Sequence, residues 1–457
     1  MTDLNIVILA AGVGKRMQSS QPKVLHLLAG KPLLGHVLDA ARALFPKKIC
    51  VVYGHGGEMV QSVINDNEII WVQQEVQLGT GHALLQALPY LDNEGVTLVL
   101  LGDVPLIKVD TLDRLISKAT ENNFVLLTAE LDAPSGYGRI LKNQATGAIQ
   151  AIVEEKDASE FQLQIREINT GIMVLPNSYL REFLPKLQNK NSQGEYYLTD
   201  VIEMAVKAGV RIDAAHPVHS WEVLGVNSKS HLAELERIYQ RDNAKNLLER
   251  GVMITDPSRI DVRGQLVCGR NVEIDINCIF EGSVQLGDDV KIGAHCILRD
   301  VTVYSGTTVF PFSLIENAEI GKSCHVGPYS RIRPGTRLYD EAHVGNFVEI
   351  KNSKIGIGSK VNHLSYIGDA VIGTKVNIGA GTITCNYDGA LKHRTIIEDD
   401  VFVGSDTQLV APVRIARGST IGAGSTITRD TPEDQLTLAR ARQVSINGWK
   451  RPKKNKA

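Results

Sequence analysis

From about residue 252 onward the chain carries an aliphatic residue at every sixth position, and this period constrains its fold more than any other feature. Ile320, Val326, Ile332, Leu338, Val344 and Ile350 keep the interval. Ile355, Val361 and Ile367 continue it after a one-residue slip, and Ile397, Val403, Leu409, Ile415, Ile421 and Ile427 resume it. A six-residue period specifies a parallel β-helix with three short strands per coil, each aliphatic side chain pointing inward onto its neighbours. The repeat covers roughly 180 residues, or about ten coils stacked ~4.8 Å apart. The period breaks between Cys385 and Arg394, which predicts a loop thrown out of the coil, and such interruptions tend to lie on a functional face.

The first part of the chain has a different rhythm. Asn5–Leu9, Lys48–Tyr53 and Val96–Leu101 are continuous apolar runs, the pattern of strands buried on both faces. Helical patterns at Lys31–Leu44 and Gly81–Leu91 lie between them. This alternation predicts a mostly parallel sheet with helices on both sides, whose ligands sit beyond the carboxyl ends of the strands. Leu232, Leu235, Ile238, Tyr239 and Leu247 then recur at helical spacing, with Gly251 as a stop signal. The expected organisation is an α/β domain over 1–227, a linker helix over 228–250, and a coil domain with a C-terminal tail over 251–457.

Bulk properties narrow the function classes. At 457 residues and a net charge of −2 the chain suits two or three globular cores and no nucleic-acid coat. The basic stretch from Lys450 to Lys456 reads as a solvated tail. No run is apolar enough to cross a bilayer and no secretory signal precedes the first strand, so no membrane partner is expected. Six scattered cysteines without a C-x-x-C pair fit reduced thiols and a cytoplasmic location.

Leu9-Ala10-Ala11-Gly12-Val13-Gly14-Lys15-Arg16 directly follows the first strand. Small residues there let backbone N–H groups face phosphates. Leu9 in place of the first glycine excludes a Walker motif, and Met17 in place of the third excludes a dinucleotide fingerprint. With Pro22-Lys23, this stretch resembles the signature of sugar-phosphate nucleotidyltransferases. Gln74 with Leu78-Gly79-Thr80-Gly81-His82, Gly102-Asp103-Val104-Pro105-Leu106, Gly136-Tyr137-Gly138-Arg139 and Ile168-Asn169-Thr170-Gly171 agree with it. Taken with the hexapeptide coil, nearly the whole chain resembles the bacterial N-acetylglucosamine-1-phosphate uridyltransferase/glucosamine-1-phosphate acetyltransferase family. It departs at Lys15, where that family usually has Thr, and at Leu101, where Tyr is common. The resemblance implies a Rossmann-like nucleotidyltransferase domain, a connecting helix and a left-handed parallel β-helix.

The first implied reaction joins the phosphate of N-acetylglucosamine-1-phosphate to the α-phosphorus of UTP and expels pyrophosphate. The attacking oxygen is already ionised, so positioning and charge neutralisation carry the rate. Asp103 ends a buried strand, a good place for a Mg²⁺ ligand, although a turn or helix-capping aspartate would look the same. The resemblance supplies Asn227 as its partner and assigns Arg16 and Lys23 to the triphosphate. It places Leu9, Ala10, Ala11, Gly12, Leu101 and Gly102 against the nucleotide, Gln74, Gly79 and Thr80 on uracil, and Gly138, Glu154 and Asn169 on the sugar. Spacing alone does not select uracil over thymine or guanine.

The second implied reaction acetylates glucosamine-1-phosphate from acetyl-CoA. Arg333 and Lys351 lie eighteen residues apart, one coil, and two stacked cations call for an anion such as a sugar phosphate. His363 is the candidate general base that takes the proton from the attacking amine. By resemblance Arg333, Lys351, Tyr366 and Asn377 hold the sugar phosphate. Asn386 and Tyr387 sit in the extruded loop, and Ala380, Ser405, Ala423 and Arg440 line the acetyl-CoA site. Family members are homotrimers. Rival readings are an acyl-cysteine route through Cys385, a coil that only assembles the enzyme, and a zinc enzyme built on His325 and His343, which lie one coil apart.

Overall fold

The computed structural model describes residues 3–12, 14–54 and 56–454, the Lys15 side chain excepted. Val13 of the glycine-rich turn, the departure at Lys15 and the end of the basic tail at Lys456 therefore lie outside the described residues. Two compact units divide the chain, Met1–Tyr239 and Gln240–Ala457.

The first unit is built on a sheet in the spatial order Arg211–Ala215, Asn123–Glu130, Glu167–Pro176, Val96–Leu101, Leu4–Ala10, Lys48–Tyr53, Ile70–Gln73. All neighbours on this path pair in parallel except Glu167–Pro176, which runs antiparallel to both of its neighbours. The apolar run of the first strand serves two cores, since successive side chains point to opposite faces. Ile6 and Ile8 enter the cluster on one side, while Val7 joins Cys50 and Val52 on the other. Helices Leu33–Arg42 and Thr80–Ala87 occupy the predicted helical stretches. The long helix is Lys229–Glu249; its Leu232, Leu235, Ile238 and Tyr239 pack with Met17, Leu28 and Val226 in the first unit.

The second unit is the left-handed β-helix. On one face a column of strands runs from Met253–Ile254 to Leu436–Thr437, each parallel to the next. The sixfold aliphatic positions stack in register: Val326 pairs with Val344, Val344 with Val361, and Val361 with Ile378. Every one of the periodic residues named from the sequence is buried. The one-residue slip is taken up between coils, where Leu338 pairs with Ile355 instead of with a residue eighteen positions on. Ile372 pairs with Ile397, so the segment between them carries the extruded loop without breaking the stack.

Candidate active sites

In the first unit the ends of strands Leu4–Ala10 and Val96–Leu101 lie side by side, and Gly102 donates its N–H to the Leu9 carbonyl at 2.9 Å. The turn after Ala10 closes on a short helical segment, Lys15–Met17, with Met17 N–H bonded to the Gly14 carbonyl. Gly14 has φ +63°, and a Cβ there would sit 2.8 Å from the Cβ of Lys23. Glycine is therefore required for Lys23 to pass beneath the turn. The Lys23 ammonium bonds the Asp103 carboxylate and, at 3.2 Å, Oδ1 of Asn227. Asp103 accepts the Val226 N–H on its backbone carbonyl at 2.9 Å, which fixes the Gly225-Val226-Asn227 segment against it.

These groups open onto a cleft of about 540 Å³ that also presents Leu9, Arg16, Thr80, Leu101, Gly138, Glu154 and Asn169. Gly138 and Asn169 are paired across neighbouring strands. A Cβ on Gly138 would lie 3.4 Å from the Glu154 carboxylate, so the three sugar candidates share one wall. Glu154 accepts a 2.9 Å hydrogen bond from the Thr199 hydroxyl, and burial pushes its pKa up, with Asp200, Asp157 and Glu195 adding to the rise. Gln74 is buried beside the cleft; its amide nitrogen donates to the Gly79 carbonyl at 3.2 Å and to Nδ1 of His82 at 2.9 Å. Thr199 and Tyr137 are among the cleft residues that were not singled out in the sequence. Thr199 carries no motif, and Tyr137 was quoted only as part of a glycine-bounded turn. The Tyr137 hydroxyl accepts from Gly225 N–H at 3.4 Å, and burial pushes its pKa up.

On the coil, Arg333 and Lys351 fall at equivalent points of adjacent coils, since Arg331 pairs with Glu349 and Ile332 with Ile350. One expectation is corrected here: the two cations are not left for an external anion alone. Arg333 is paired with Glu349 at 2.7 Å, because the strand that delivers Lys351 also delivers a carboxylate two residues earlier. Lys351 instead faces a cation the sequence reading missed. Lys392, in the extruded loop, lies beside Lys351, and the neighbouring like charge lowers the Lys392 pKa. The signal was a lysine in the loop that interrupts the repeat between Cys385 and Arg394.

Tyr366, Gly368 and Asn386 are brought together: a Cβ on Gly368 would lie 2.4 Å from the Tyr366 hydroxyl and 2.8 Å from the Asn386 amide nitrogen. Asn386 is buried and bonds Asp369 at 2.5 Å. The loop is tied across its base by His393 N–H to the Asn386 carbonyl at 2.8 Å, and His393 Nε2 meets the Asp388 carboxylate at 2.6 Å. Tyr387 is exposed, its hydroxyl bonded to the Gly389 carbonyl. His363 is exposed at a coil corner, separated from Tyr366 by Leu364 and Ser365, and Ser365 donates to its carbonyl at 2.8 Å.

Strand pairing carries that corner upward. Val361 pairs with Ile378, which sets His363 level with Ala380; Asp406 N–H bonds the Ala380 carbonyl at 2.7 Å, and Gly424 N–H the Ser405 carbonyl at 2.8 Å. Arg440 closes the column by donating to the Ala423 carbonyl at 2.7 Å. Asn377 sits on the adjoining face, in register with Lys360 and Phe402. Cys385 is half-buried with its pKa pushed up by burial, the opposite of an activated thiolate.

Comparison with known proteins matches residues 6–254 to the MobA-like NTP transferase domain. Residues 262–344 match the GMPPB C-terminal domain, and 394–429 the bacterial transferase hexapeptide (six repeats). The "Bifunctional protein GlmU" of Nitrosospira multiformis is 67% identical over 454 residues, covering 99% of both chains. Its namesakes from Nitrosomonas eutropha and Nitrosomonas europaea are 66% and 67% identical over 457 residues, covering 100% of both chains. The chain belongs to the bifunctional GlmU family. It is accordingly a uridyltransferase and an acetyltransferase of UDP-N-acetylglucosamine synthesis, acting on nucleotide and acetyl-CoA substrates. The GlmU-family assignment leaves no place for a coil that serves only as a scaffold. Among the described residues no group of three or more His, Cys, Asp or Glu side chains is placed to hold a metal ion. Among them, too, no helix is long and apolar enough to cross a membrane.

Proposed function

We propose that the two activities occupy the two sites described above, uridyl transfer in the cleft of the first unit and acetyl transfer on the coil. The observation that carries the first assignment is the convergence of Asp103 and Asn227 oxygens on one cationic position, taken in this structure by the Lys23 ammonium. Two hard oxygen donors from different segments, with room for phosphate and water, fit Mg²⁺. Bound there, Mg²⁺ would neutralise triphosphate charge. Arg16 and Lys23 neutralise the rest, the backbone from Leu9 to Gly12 cradles the phosphates, and Leu101 and Gly102 form the floor. Gln74, Gly79 and Thr80 read the uracil edge. Gly138, Glu154 and Asn169 hold N-acetylglucosamine-1-phosphate so that its phosphate oxygen lies in line with the α-phosphorus.

On the coil, His363 takes the proton from the glucosamine-1-phosphate amine as nitrogen attacks the thioester carbonyl and CoA leaves as a thiol. Arg333, Lys351, Lys392, Tyr366 and Asn377 hold the sugar phosphate. The corner column of Ala380, Ser405 and Ala423, with Arg440, Asn386 and Tyr387, receives acetyl-CoA. The chain is read as 1–227, a connecting helix over 228–250 and 251–457, assembling as a homotrimer in the cytoplasm. A product assay with all four substrates tests the division of labour. His363→Ala abolishes acetyl transfer by at least ~10²-fold and spares uridyl transfer, and Asp103→Ala does the reverse. Loss of both activities in either folded variant refutes it.

A further inference from the structure

Neither proposed reaction uses the histidine pair on the coil. Strands His325–Val326 and His343–Asn346 are parallel neighbours, with His325 directly opposite His343. Val326 and Val344 point into the core, so the alternating histidines project outward from the same face. Nδ1 of His325 lies 3.2 Å from Nε2 of His343, with the ring planes 73° apart and the centroids 4.6 Å apart. Phe310 stacks on the far side of His325 at 5.9 Å and 19°, which limits how that ring turns.

We propose that His325 and His343 form a two-histidine site for a borderline-soft divalent transition ion of the Zn²⁺ class. An ion bonded to both imidazole nitrogens at ~2.0–2.1 Å holds them about 3.0 Å apart at a right angle and about 3.4 Å apart at the tetrahedral angle. The observed 3.2 Å falls between those limits. Glu341, two residues before His343, is the nearby anionic group, and Lys360 is the next residue along the column. With no three-ligand cluster among the described residues, water fills the remaining positions. Nitrogen donors select Zn²⁺, Cu²⁺ or Ni²⁺ and discriminate against Mg²⁺, so the site is chemically distinct from the nucleotidyl centre.

The test is calorimetric titration of the full-length chain with ZnCl₂ at pH 7.5 in excess Mg²⁺. The wild type takes up one Zn²⁺ that His325→Asn and His343→Asn each weaken by about tenfold or more, and that the double variant loses. Retained uridyl and acetyl transfer in the variants shows that the fold is intact. No Zn²⁺ uptake by the wild type, which would leave the pair as a plain hydrogen bond, overturns the proposal. So does uptake that is unchanged in the double variant.

Discussion

Under the function proposed above, the orientation of the Gln74 amide decides which base edge the first site accepts, and Gly79 and His82 together set that orientation. A backbone carbonyl only accepts, so the 3.2 Å contact to Gly79 identifies the amide nitrogen of Gln74. Its second hydrogen goes to Nδ1 of His82 at 2.9 Å. Both amide hydrogens are thereby used, and Oε1 is what Gln74 has left to offer a base. An acceptor suits the N3–H of uracil and opposes cytosine, which presents a lone pair at that position. His82→Phe keeps a flat ring but removes the acceptor, leaving one N–H of a side chain that is 2% exposed without its partner. In the free variant that N–H loses its acceptor and the amide is held by the Gly79 carbonyl alone, so the native orientation loosens and binding UTP has to restore it. An orphaned buried donor costs about 1–3 kcal/mol, so kcat/KM for UTP falls roughly 5- to 150-fold. Discrimination against CTP narrows by about tenfold, since only the Gly79 bond still orients the amide. Steady-state pyrophosphate release with each nucleotide reads both effects, while acetyl transfer serves as the internal control. An unchanged UTP to CTP ratio, with UTP turnover within about twofold of wild type, would refute the role given to His82.

Other consequences fall on both sites. Gly368→Ala places a methyl group 2.4 Å from the Tyr366 hydroxyl and 2.8 Å from the Asn386 amide; acetyl transfer drops by about tenfold or more while uridyl transfer and the coil's circular dichroism persist. Lys392→Met removes a cation pressed against Lys351, so KM for glucosamine-1-phosphate rises about tenfold while the thermal midpoint at pH 7 does not fall. Glu154 is held protonated to higher pH in the folded state than in the unfolded chain, so its ionisation opposes folding as pH rises from the ordinary carboxylate range through its raised pKa. Glu154→Gln consequently stabilises the protein at pH 7 relative to pH 4 in thermal melts, while weakening sugar binding.

How much of this was legible in the sequence depended on whether a residue's role followed from a period. The coil did: burial of Ile332, Ile350 and Ile367 in one column is a direct consequence of three strands per turn, and the pairing of those residues reproduces it. The first strand did as well, because a run apolar at every position has nowhere to go but between two cores. The antiparallel strand Glu167–Pro176 did not, since strand direction leaves no mark on hydrophobic pattern and depends on which connection crosses the sheet. That a single residue would come to line the cleft was legible where a strand end or a turn motif marked it, as with Asp103 and Gly138.

Partnerships between sites were the least legible, because stacking distance in a coil is not sequence distance. Arg333 finds Glu349 sixteen residues away, Lys351 finds Lys392 across the extruded loop, and Asn386 finds Asp369 seventeen residues back. A coil of seventeen or eighteen residues delivers neighbours at that interval, but the loop between Ile372 and Ile397 adds an offset that no period predicts. The electrostatics of the proposed acetyl-transfer site therefore depend on the extruded loop, a segment that departs from the repeat. The tie between His393 and Asp388 at 2.6 Å acts on that segment, holding the loop closed with Lys392 adjacent to it in sequence. The repeat fixes where Lys351 stands, and the loop's own hydrogen bonds fix how close the second cation comes.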